Sequence, residues 1–209
     1  MTRLDSVLTE DDLPLGELWA ACRDGELVPL SSSAFTFADL PQTPAMRAHA
    51  VARVMARRMI IERHSAAWVH GALVTPPRLH TIAVRYAQRS SASRDLATVR
   101  EVVVRPDDTT TIAGIEITTP LRTAVDLARD RGFVRSRDSP VLSRLLDSSG
   151  LPECREYLDA ARNLPHKALA LRRITDALLD EAVARRAFDS ARPGSRDEPH
   201  QPSLTRYTS

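Results

Sequence analysis

The stretch IAGIEITTPLRTAVDLAR at residues 112–129 contains the clearest change of secondary structure in the sequence. Its β-branched residues up to Ile117 favour a strand, in which Gly114 predicts a turn or bulge. Thr119 and Pro120 then form a typical N-cap and first helical residue, and apolar residues at helical spacing follow them. The stretch predicts a strand that runs directly into a helix, which is typical of an α+β fold.

The region before this junction has a similar mixture of signals. Residues 79–84 and 99–104 are rich in β-branched side chains and predict two more strands. A short helix is predicted at residues 65–70, with Gly71 ending it. Thr43 and Pro44 again supply a cap and a first helical residue, so a long helix is expected from there to about Arg58.

The N-terminal segment predicts a smaller unit of its own. Asp12 is a candidate cap for a short helix that ends near Gly25, and two short strands are expected on either side of the polar turn at residues 31–33. A helix followed by a hairpin is typical of the end of a winged helix-turn-helix. Only about a dozen residues precede this helix, so the predicted winged helix-turn-helix is abbreviated.

The C-terminal third shows helical periodicity throughout. Residues 140–146, 152–161 and 169–188 each place apolar side chains three and four positions apart, which predicts a packed helical part. From Ser190 the sequence contains several prolines and few apolar residues, so a disordered tail is expected. The predicted organisation is an abbreviated DNA-binding domain at 1–41, a mixed α/β domain at 42–189 and a tail at 190–209.

Positive charge is concentrated in the middle of the chain. Residues 1–40 have a net charge of −6, residues 41–106 of +8, and residues 107–209 are balanced. The basic residues are 28 arginines and one lysine, a bias that we attribute to base composition rather than to function. A polyanion responds to the local distribution of charge, so the middle third is the favoured region for contact with nucleic acid.

Several classes of chemistry find no support in the sequence. The six histidines and two cysteines do not fall at metal-site spacings, so no metal is expected, and both Cys22 and Cys154 are interpreted as buried thiols of a reducing compartment. There is no glycine-rich phosphate loop, no cofactor motif and no Gly-x-Ser-x-Gly. Arg122 and Asp126, four residues apart, are interpreted as an ion pair rather than as acid–base machinery. No apolar run is long enough for a membrane span and no export signal is apparent, so a cytoplasmic protein without catalytic residues is expected.

Three stretches, in this order, carry a resemblance to a known family: EDDLPLGELWAACRDGELVPL at 10–30, RHSAAWVHG at 63–71 and IAGIEITTPLRTAVDLAR at 112–129. Together they resemble the AbiEi antitoxins of type IV toxin–antitoxin systems, particularly the short actinobacterial and mycobacterial members. The resemblance covers residues 10–130, and the order and spacing of the stretches carry more weight than any one motif.

The resemblance implies an N-terminal winged helix-turn-helix that binds operator DNA in the promoter of its own operon, which it represses. It implies a C-terminal domain that counters an AbiEii-like nucleotidyltransferase toxin, without the need for a stable complex. It gives Trp68 the role of a large buried anchor, Gly71 that of a helix stop, and Arg122 with Asp126 that of a pair fixing the helix after Pro120. The acidic character of residues 1–40 departs from what a groove-reading element normally presents to phosphate.

The candidate DNA contacts follow from the predicted elements and from the charge distribution. A helix end and the tip of a wing are the parts that reach a groove, which selects four residues in the N-terminal unit. Arginines of the basic middle third are auxiliary candidates, and support of a core helix is an equally good interpretation of them. The candidates are Arg23, Ser31, Ser32, Ser33, Arg47, Arg53, Arg57, Arg58 and Arg63.

Two other functions remain open at this level. The chain could be a stand-alone repressor of an unrelated operon, or the remnant of a nuclease-linked protein, since similar motifs occur in longer proteins with an endonuclease-like domain. A metal-dependent nuclease site needs converging carboxylates, which the sequence does not indicate. If the antitoxin interpretation holds, residues from about 45 onward are expected to suffice for antitoxicity and residues 1–40 to be needed for operator regulation.

Overall fold

A computed structural model describes residues 6–191 except 57, 86–96, 147–149 and 163. These residues form an α+β fold, as predicted from the sequence. Their α-helices, numbered in chain order, are α1 (Leu15–Arg23), α2 (Pro44–Ala52), α3 (Arg63–Val69), α4 (Pro120–Ala128), α5 (Arg135–Leu145), α6 (Gly150–Ala160) and α7 (Lys167–Ala191). Their strands are β1 (Leu27–Pro29), β2 (Phe35–Phe37), β3 (Ile60–Ile61), β4 (His80–Arg85), β5 (Ala97–Val102), β6 (Thr109–Ile112) and β7 (Ile115–Thr118).

The N-terminal unit consists of α1 and the antiparallel hairpin β1–β2, and a bridge from Leu8 to Phe35 adds a third short pairing to the hairpin. Gly25, with φ of +80°, ends α1 as expected. The prediction that Asp12 caps this helix is wrong. Its carboxylate accepts the backbone N–H of Thr9 at 2.9 Å and so closes the preceding turn, while Pro14 occupies the N-cap position.

Helix α2 begins as predicted and ends earlier than predicted. The Thr43 hydroxyl accepts the N–H of Met46, which satisfies one of the free donors in the first turn. The helix stops at Ala52 rather than near Arg58, whose φ of +67° is incompatible with a right-handed helix. The chain then forms the two-residue strand β3, which has no sequence signal of its own because it is too short to show a period.

Strand β3 nevertheless lies at the centre of a five-stranded sheet with the order β5-β4-β3-β7-β6. It pairs antiparallel with β4 and parallel with β7, while β4 and β5 are parallel and β6 and β7 form an antiparallel hairpin. The turn of that hairpin contains Gly114 with φ of +80°, so the turn or bulge predicted at this glycine is a turn, and it divides the predicted strand into two. Helix α4 leaves the end of β7, and the Thr119 hydroxyl accepts the N–H of Arg122 at its start.

Helices α3 and α4 connect the sheet to the helical part of the molecule. The largest apolar cluster joins α3 and α4 to α5, α6 and α7, as the helical periodicity predicted. A second cluster packs α2 and α3 on the sheet and includes Val7, Leu30 and Ala34 from the N-terminal unit. Residues on both sides of the predicted boundary at residue 41 therefore share one core, and the division of function between them stays a prediction.

At the C-terminus, α7 continues through Ser190 to Ala191, so the tail predicted to start at Ser190 is helical for its first two residues. The rest of the predicted tail, residues 192–209, lies outside the described residues. None of the helices in the described part of the chain combines the length and apolar character that a membrane crossing requires.

Candidate nucleic-acid interface and the buried ion-pair network

The N-terminal candidates for DNA contact differ in exposure. Arg23 is exposed in the last turn of α1, and Ser32 is exposed between β1 and β2. Ser33 is half-buried, whereas Ser31 is buried and its hydroxyl accepts the N–H of Ser33 at 3.4 Å. The hairpin tip therefore presents Ser32 most directly to solvent, and Ser31 shapes the turn behind it.

Two of the auxiliary arginines have structural partners within the core. Arg47 donates to the carbonyl oxygen of Trp68 at 2.9 Å, and its guanidinium lies 5.7 Å from the centre of the indole ring. Burial lowers the pKa of Arg47. Arg63 forms an ion pair with Asp130, which joins α3 to the segment after α4. These contacts assign both arginines to packing in the free protein.

Arg53 neutralises acids of the N-terminal unit. Its guanidinium lies 3.5 Å from the carboxylates of both Asp11 and Asp12 and 3.2 Å from the hydroxyl of Thr9. Part of the positive charge of the middle third is therefore used to offset the acidic N-terminal segment, which the charge count of the sequence could not show.

Arg58 differs from the other auxiliary candidates. It is exposed, follows α2 and lines an open depression of about 360 Å³ with Gly114 and Glu116. Arg58 forms no salt bridge within the described residues. Its neighbour Arg57 lies outside the described residues. Among the described candidates, Arg23 and Arg58 thus retain the most accessible positive charge.

Two further arginines on the sheet, which the sequence interpretation did not select, pair with carboxylates. Arg85 of β4 binds the carboxylate of Glu116 on β7, and this contact lowers the pKa of Glu116. Arg100 of β5 donates to Glu62 at 3.1 Å. Glu62 is 1% exposed, and burial raises its pKa even though Arg100 opposes that effect.

The most concentrated group of charges lies inside the molecule, where α4 meets the helical part. Arg122 donates to Asp126 at 2.6 Å, as the spacing predicted, and to Asp108 at 2.5 Å. The Tyr157 hydroxyl donates to the other oxygen of Asp108 at 2.9 Å. The Arg129 guanidinium binds Asp126 at 3.0 Å. One arginine thus joins the turn before β6, helix α4 and helix α6.

The titration of this group follows from its contacts. Burial raises the pKa of Asp108, but the Arg105 N–H, the Arg122 charge and the Tyr157 hydroxyl outweigh it, so that the pKa lies below its ordinary value. Burial lowers the pKa of Arg122, and the neighbouring Asp126 and Asp108 reverse this and raise it. The carboxylates of Asp108 and Asp126 are both buried and inaccessible to a substrate, so the arrangement is suited to holding elements together rather than to acid–base catalysis.

A second buried carboxylate fixes the start of α5. Asp138 is 1% exposed and accepts from Val134 N at 2.7 Å, from Arg137 Nε at 2.7 Å and from His64 Nε2 at 2.8 Å. These contacts outweigh burial and lower the pKa of Asp138. The same carboxylate therefore satisfies the start of α5 and ties α5 to α3. No sequence spacing indicated this pair, because His64 and Asp138 are 74 residues apart.

Trp68 is fully buried, in agreement with the anchor role that the resemblance implied. On the same helix, Ser65 accepts the N–H of Thr81 at 2.9 Å and lies 3.1 Å from His80 Nδ1. Because His80 is buried, its pKa falls to about 4 and the ring is neutral at physiological pH. Ser65 is fully buried, so this serine–histidine contact is a packing feature rather than a nucleophile and its base.

The cysteines only partly match their prediction. Cys154 is buried, and burial raises its pKa to about 11, whereas Cys22 is partly exposed on α1. Across the described residues no group of three or more histidine, cysteine, aspartate or glutamate side chains is arranged to hold a metal ion.

Comparison with known proteins found one family model that matches the central part of the chain. Residues 55–148 match the sequence model described as the AbiEi antitoxin C-terminal domain. A search of the curated proteins found no match. Among solved structures, the crystal structure of the RV2827C protein from Mycobacterium tuberculosis is similar, with 18% sequence identity and a TM-score of 0.45. That similarity covers 83% of this chain and 71% of the other.

Proposed function

Because residues 55–148 belong to the AbiEi antitoxin C-terminal domain family, which suggests an antitoxin role, we propose that this protein is the antitoxin of a type IV, AbiE-like toxin–antitoxin system. It counters a nucleotidyltransferase-like toxin and represses its own operon by binding promoter DNA. The family match is the observation that carries the proposal. It covers the sheet strands β3 to β7 and helices α3 to α5, which hold most of the buried ion pairs.

The geometry supports a non-catalytic role for this domain. The carboxylates of Asp108, Asp126 and Asp138 are buried and bound to arginine or histidine side chains. A metal-dependent nuclease or a nucleotidyltransferase needs carboxylates that converge on a substrate or metal ion from an open cleft. We therefore expect the purified protein to neither cut nor extend nucleic acid. Metal-dependent cutting that co-purifies with the protein and is lost in the Asp108→Asn variant would contradict the proposal.

The antitoxin role is tested by co-expression with the nucleotidyltransferase-like gene that the proposal places next to this one in the genome. Induction of that gene alone should arrest growth, and co-expression of this protein should restore it. The comparison variant is Arg122→Met, in which the central ion-pair cluster is broken and the domain is expected to be strongly destabilised, so that protection should be reduced. Growth arrest that persists with well-expressed native protein would contradict the antitoxin role.

We assign the promoter contact to the N-terminal unit, with α1 and the β1–β2 hairpin acting as an abbreviated winged helix-turn-helix. Arg23 and Ser32 are its most accessible candidates, and Arg57 and Arg58 supply auxiliary phosphate contacts. The remaining candidates Ser31, Ser33, Arg47, Arg53 and Arg63 support the interface indirectly through the packing described above. Since residues 10–12 are acidic and only Arg53 offsets two of them, we expect binding of moderate strength that weakens steeply with salt.

A salt titration of promoter binding measures these phosphate contacts. Each neutralised phosphate contributes a slope of about −0.9 in log affinity against log salt concentration. The combined Arg57→Ala and Arg58→Ala variant should flatten that slope by up to about two units. Arg155→Ala with Arg162→Ala removes two exposed charges near the other end of the chain and is the matched control, for which the slope should not change. Absence of promoter binding at low salt would contradict the DNA-binding part of the proposal alone.

The proposed division, in which the N-terminal unit represses the promoter and the remaining residues counter the toxin, is best tested with substitutions rather than by deleting residues 1–40. Removal of residues 1–40 would uncover the apolar cluster that Leu30 and Ala34 share with α2 and α3. The surface variant Arg23→Ala with Ser32→Ala leaves that cluster intact. We expect it to lose promoter repression, measured with a reporter gene, while it still protects cells from the toxin. Loss of protection in a folded variant would contradict the proposed division.

A further inference from the structure

The last turns of α7 extend beyond the packed helical part of the molecule. Ala177 is buried against the neighbouring helices, but residues 182–190 are all exposed. Three large apolar side chains on the last turns of α7 are exposed: Leu179, Val183 and Phe188, with 59%, 65% and 67% of their surface accessible. A short unsupported helix is marginal in water, and an exposed leucine and valine one turn apart add an unfavourable apolar surface. Both features indicate a surface that a partner covers.

Leu179 and Val183 belong to a longer stripe of residues with heptad spacing. Positions separated alternately by four and three residues lie on one side of a helix and form the seam of a coiled coil. We call this set the α7 stripe. Its members are Arg172, Asp176, Leu179, Val183, Arg186 and Ser190.

The α7 stripe is complementary to itself in only one direction. If two copies of α7 cross antiparallel about a twofold axis at Glu181, Leu179 faces Val183 of the second copy and Asp176 faces Arg186 of the second copy. A parallel, in-register arrangement instead places Asp176 against Asp176 and Arg186 against Arg186. Within the described residues neither Asp176 nor Arg186 forms a salt bridge, and the Asp176 charge acts only at longer range on Arg135, which already pairs with Asp180.

We propose that the α7 stripe is the contact between two copies of this chain, which associate as an antiparallel, twofold-symmetric dimer. The symmetry makes each apolar and each charged contact occur twice, which is the usual property of a homodimer interface. The apolar centre supplies the attraction, and the flanking opposite charges fix the direction and register. The stripe is narrow, so the dimer is weaker than an obligate one and exchanges with monomers.

The test is sedimentation velocity of the full chain over protein concentrations from about 1 to 300 µM, where mass action moves the equilibrium. The native protein should shift from monomer to dimer across this range. Asp176→Arg alone, or Arg186→Asp alone, places like charges opposite each other twice and should raise the dissociation constant at least about tenfold. The combined Asp176→Arg and Arg186→Asp variant reverses both signs and should return to within about threefold of the native value.

Two controls separate the stripe from general effects of charge. Arg185→Asp changes the same helix by the same charge but lies off the stripe, in an intrahelical pair with Glu181, and should leave the dissociation constant unchanged. Leu179→Asp should abolish the dimer, and circular dichroism should show an unchanged helix content because Leu179 is exposed. A native protein that remains monomeric at every concentration overturns the proposal. A dimer that survives Leu179→Asp, or a charge swap that fails to restore association, overturns it as well.

Discussion

Two regions of the molecule use arginine in opposite ways. Around α4, Arg122 is 8% exposed and holds two buried carboxylates, while Arg58, in the segment after α2, is exposed without a salt-bridge partner in the described structure. The same residue type is thus a structural clamp in one region and an available cation in the other. The number of arginines in a segment therefore does not measure the positive charge that a polyanion can reach.

The strongest test of this comparison is the loss of the buried clamp. Arg122→Met should lower the free energy of unfolding by about 3–5 kcal/mol, because the buried Asp108 and Asp126 both lose the cation that they share. Urea unfolding followed by circular dichroism measures the change. Arg105→Ala is the matched control: it binds the same Asp108 but is 44% exposed, so it should cost only about 1 kcal/mol. Equal losses for the two variants would remove the distinction between clamp and surface charge.

Acid should lower the free energy of unfolding through two buried carboxylates, Asp108 of the Arg122 clamp and Asp138 at the start of α5. The pKa values of Asp108 and Asp138 are lower in the folded protein than in the unfolded chain, so their contribution to stability is present above the unfolded values and is lost as the pH falls. The unfolding free energy should therefore decline between about pH 5 and pH 2. Asp138→Asn should be less stable at neutral pH and show a flatter decline. A decline of the same steepness in the variant would show that other groups control the acid response.

The contribution of Arg53 to stability should lie between those of the buried Arg122 and the exposed Arg58. Its ion pairs with Asp11 and Asp12 are partly exposed and 3.5 Å long, so Arg53→Ala should lower the free energy of unfolding by about 1 kcal/mol or less. The loss should shrink further in high salt, which screens exposed pairs more than buried ones. Thermal unfolding at two salt concentrations makes this measurement, with Arg122→Met as the salt-insensitive reference.

Arg58 should show the smallest effect on stability. Arg58→Ala removes an exposed side chain, so its unfolding free energy should stay within about 0.5 kcal/mol of the native value. Arg58→Gly is a useful companion, because φ of +67° is favourable for glycine and should stabilise the turn slightly. A loss larger than 1 kcal/mol in the alanine variant would place Arg58 among the structural arginines instead (about the scale of an ordinary destabilising substitution).

Local signals in the sequence were sufficient for much of the fold. The helix starts at Thr43–Pro44 and Thr119–Pro120 were predicted because a hydroxyl cap and a first-turn proline act within four residues. The hairpin around residues 31–33 and the helical C-terminal part followed from turn residues and from periodicity. The Arg122–Asp126 pair was found for the same reason, since one turn of helix fixes its geometry.

Local sequence signals could not predict the contacts between segments that are far apart in the chain. The strand β3 at Ile60–Ile61 exists because β4 and β7 satisfy its backbone on both sides, not because two isoleucines prefer a strand. His64 meets Asp138, and Arg53 meets Asp11, only after the chain has folded. The exposure of Arg23 and Arg58 depends on the same packing.

The α+β class, the helix starts at Pro44 and Pro120, the resemblance to the AbiEi antitoxins and the concentration of arginine in the middle third were all predictable from the sequence alone. These properties arise from local propensity and from residue order, which act before any tertiary contact forms. Which arginines are buried beside carboxylates and which remain exposed depends on tertiary packing, because segments far apart in the chain set the distance and dielectric around each charge.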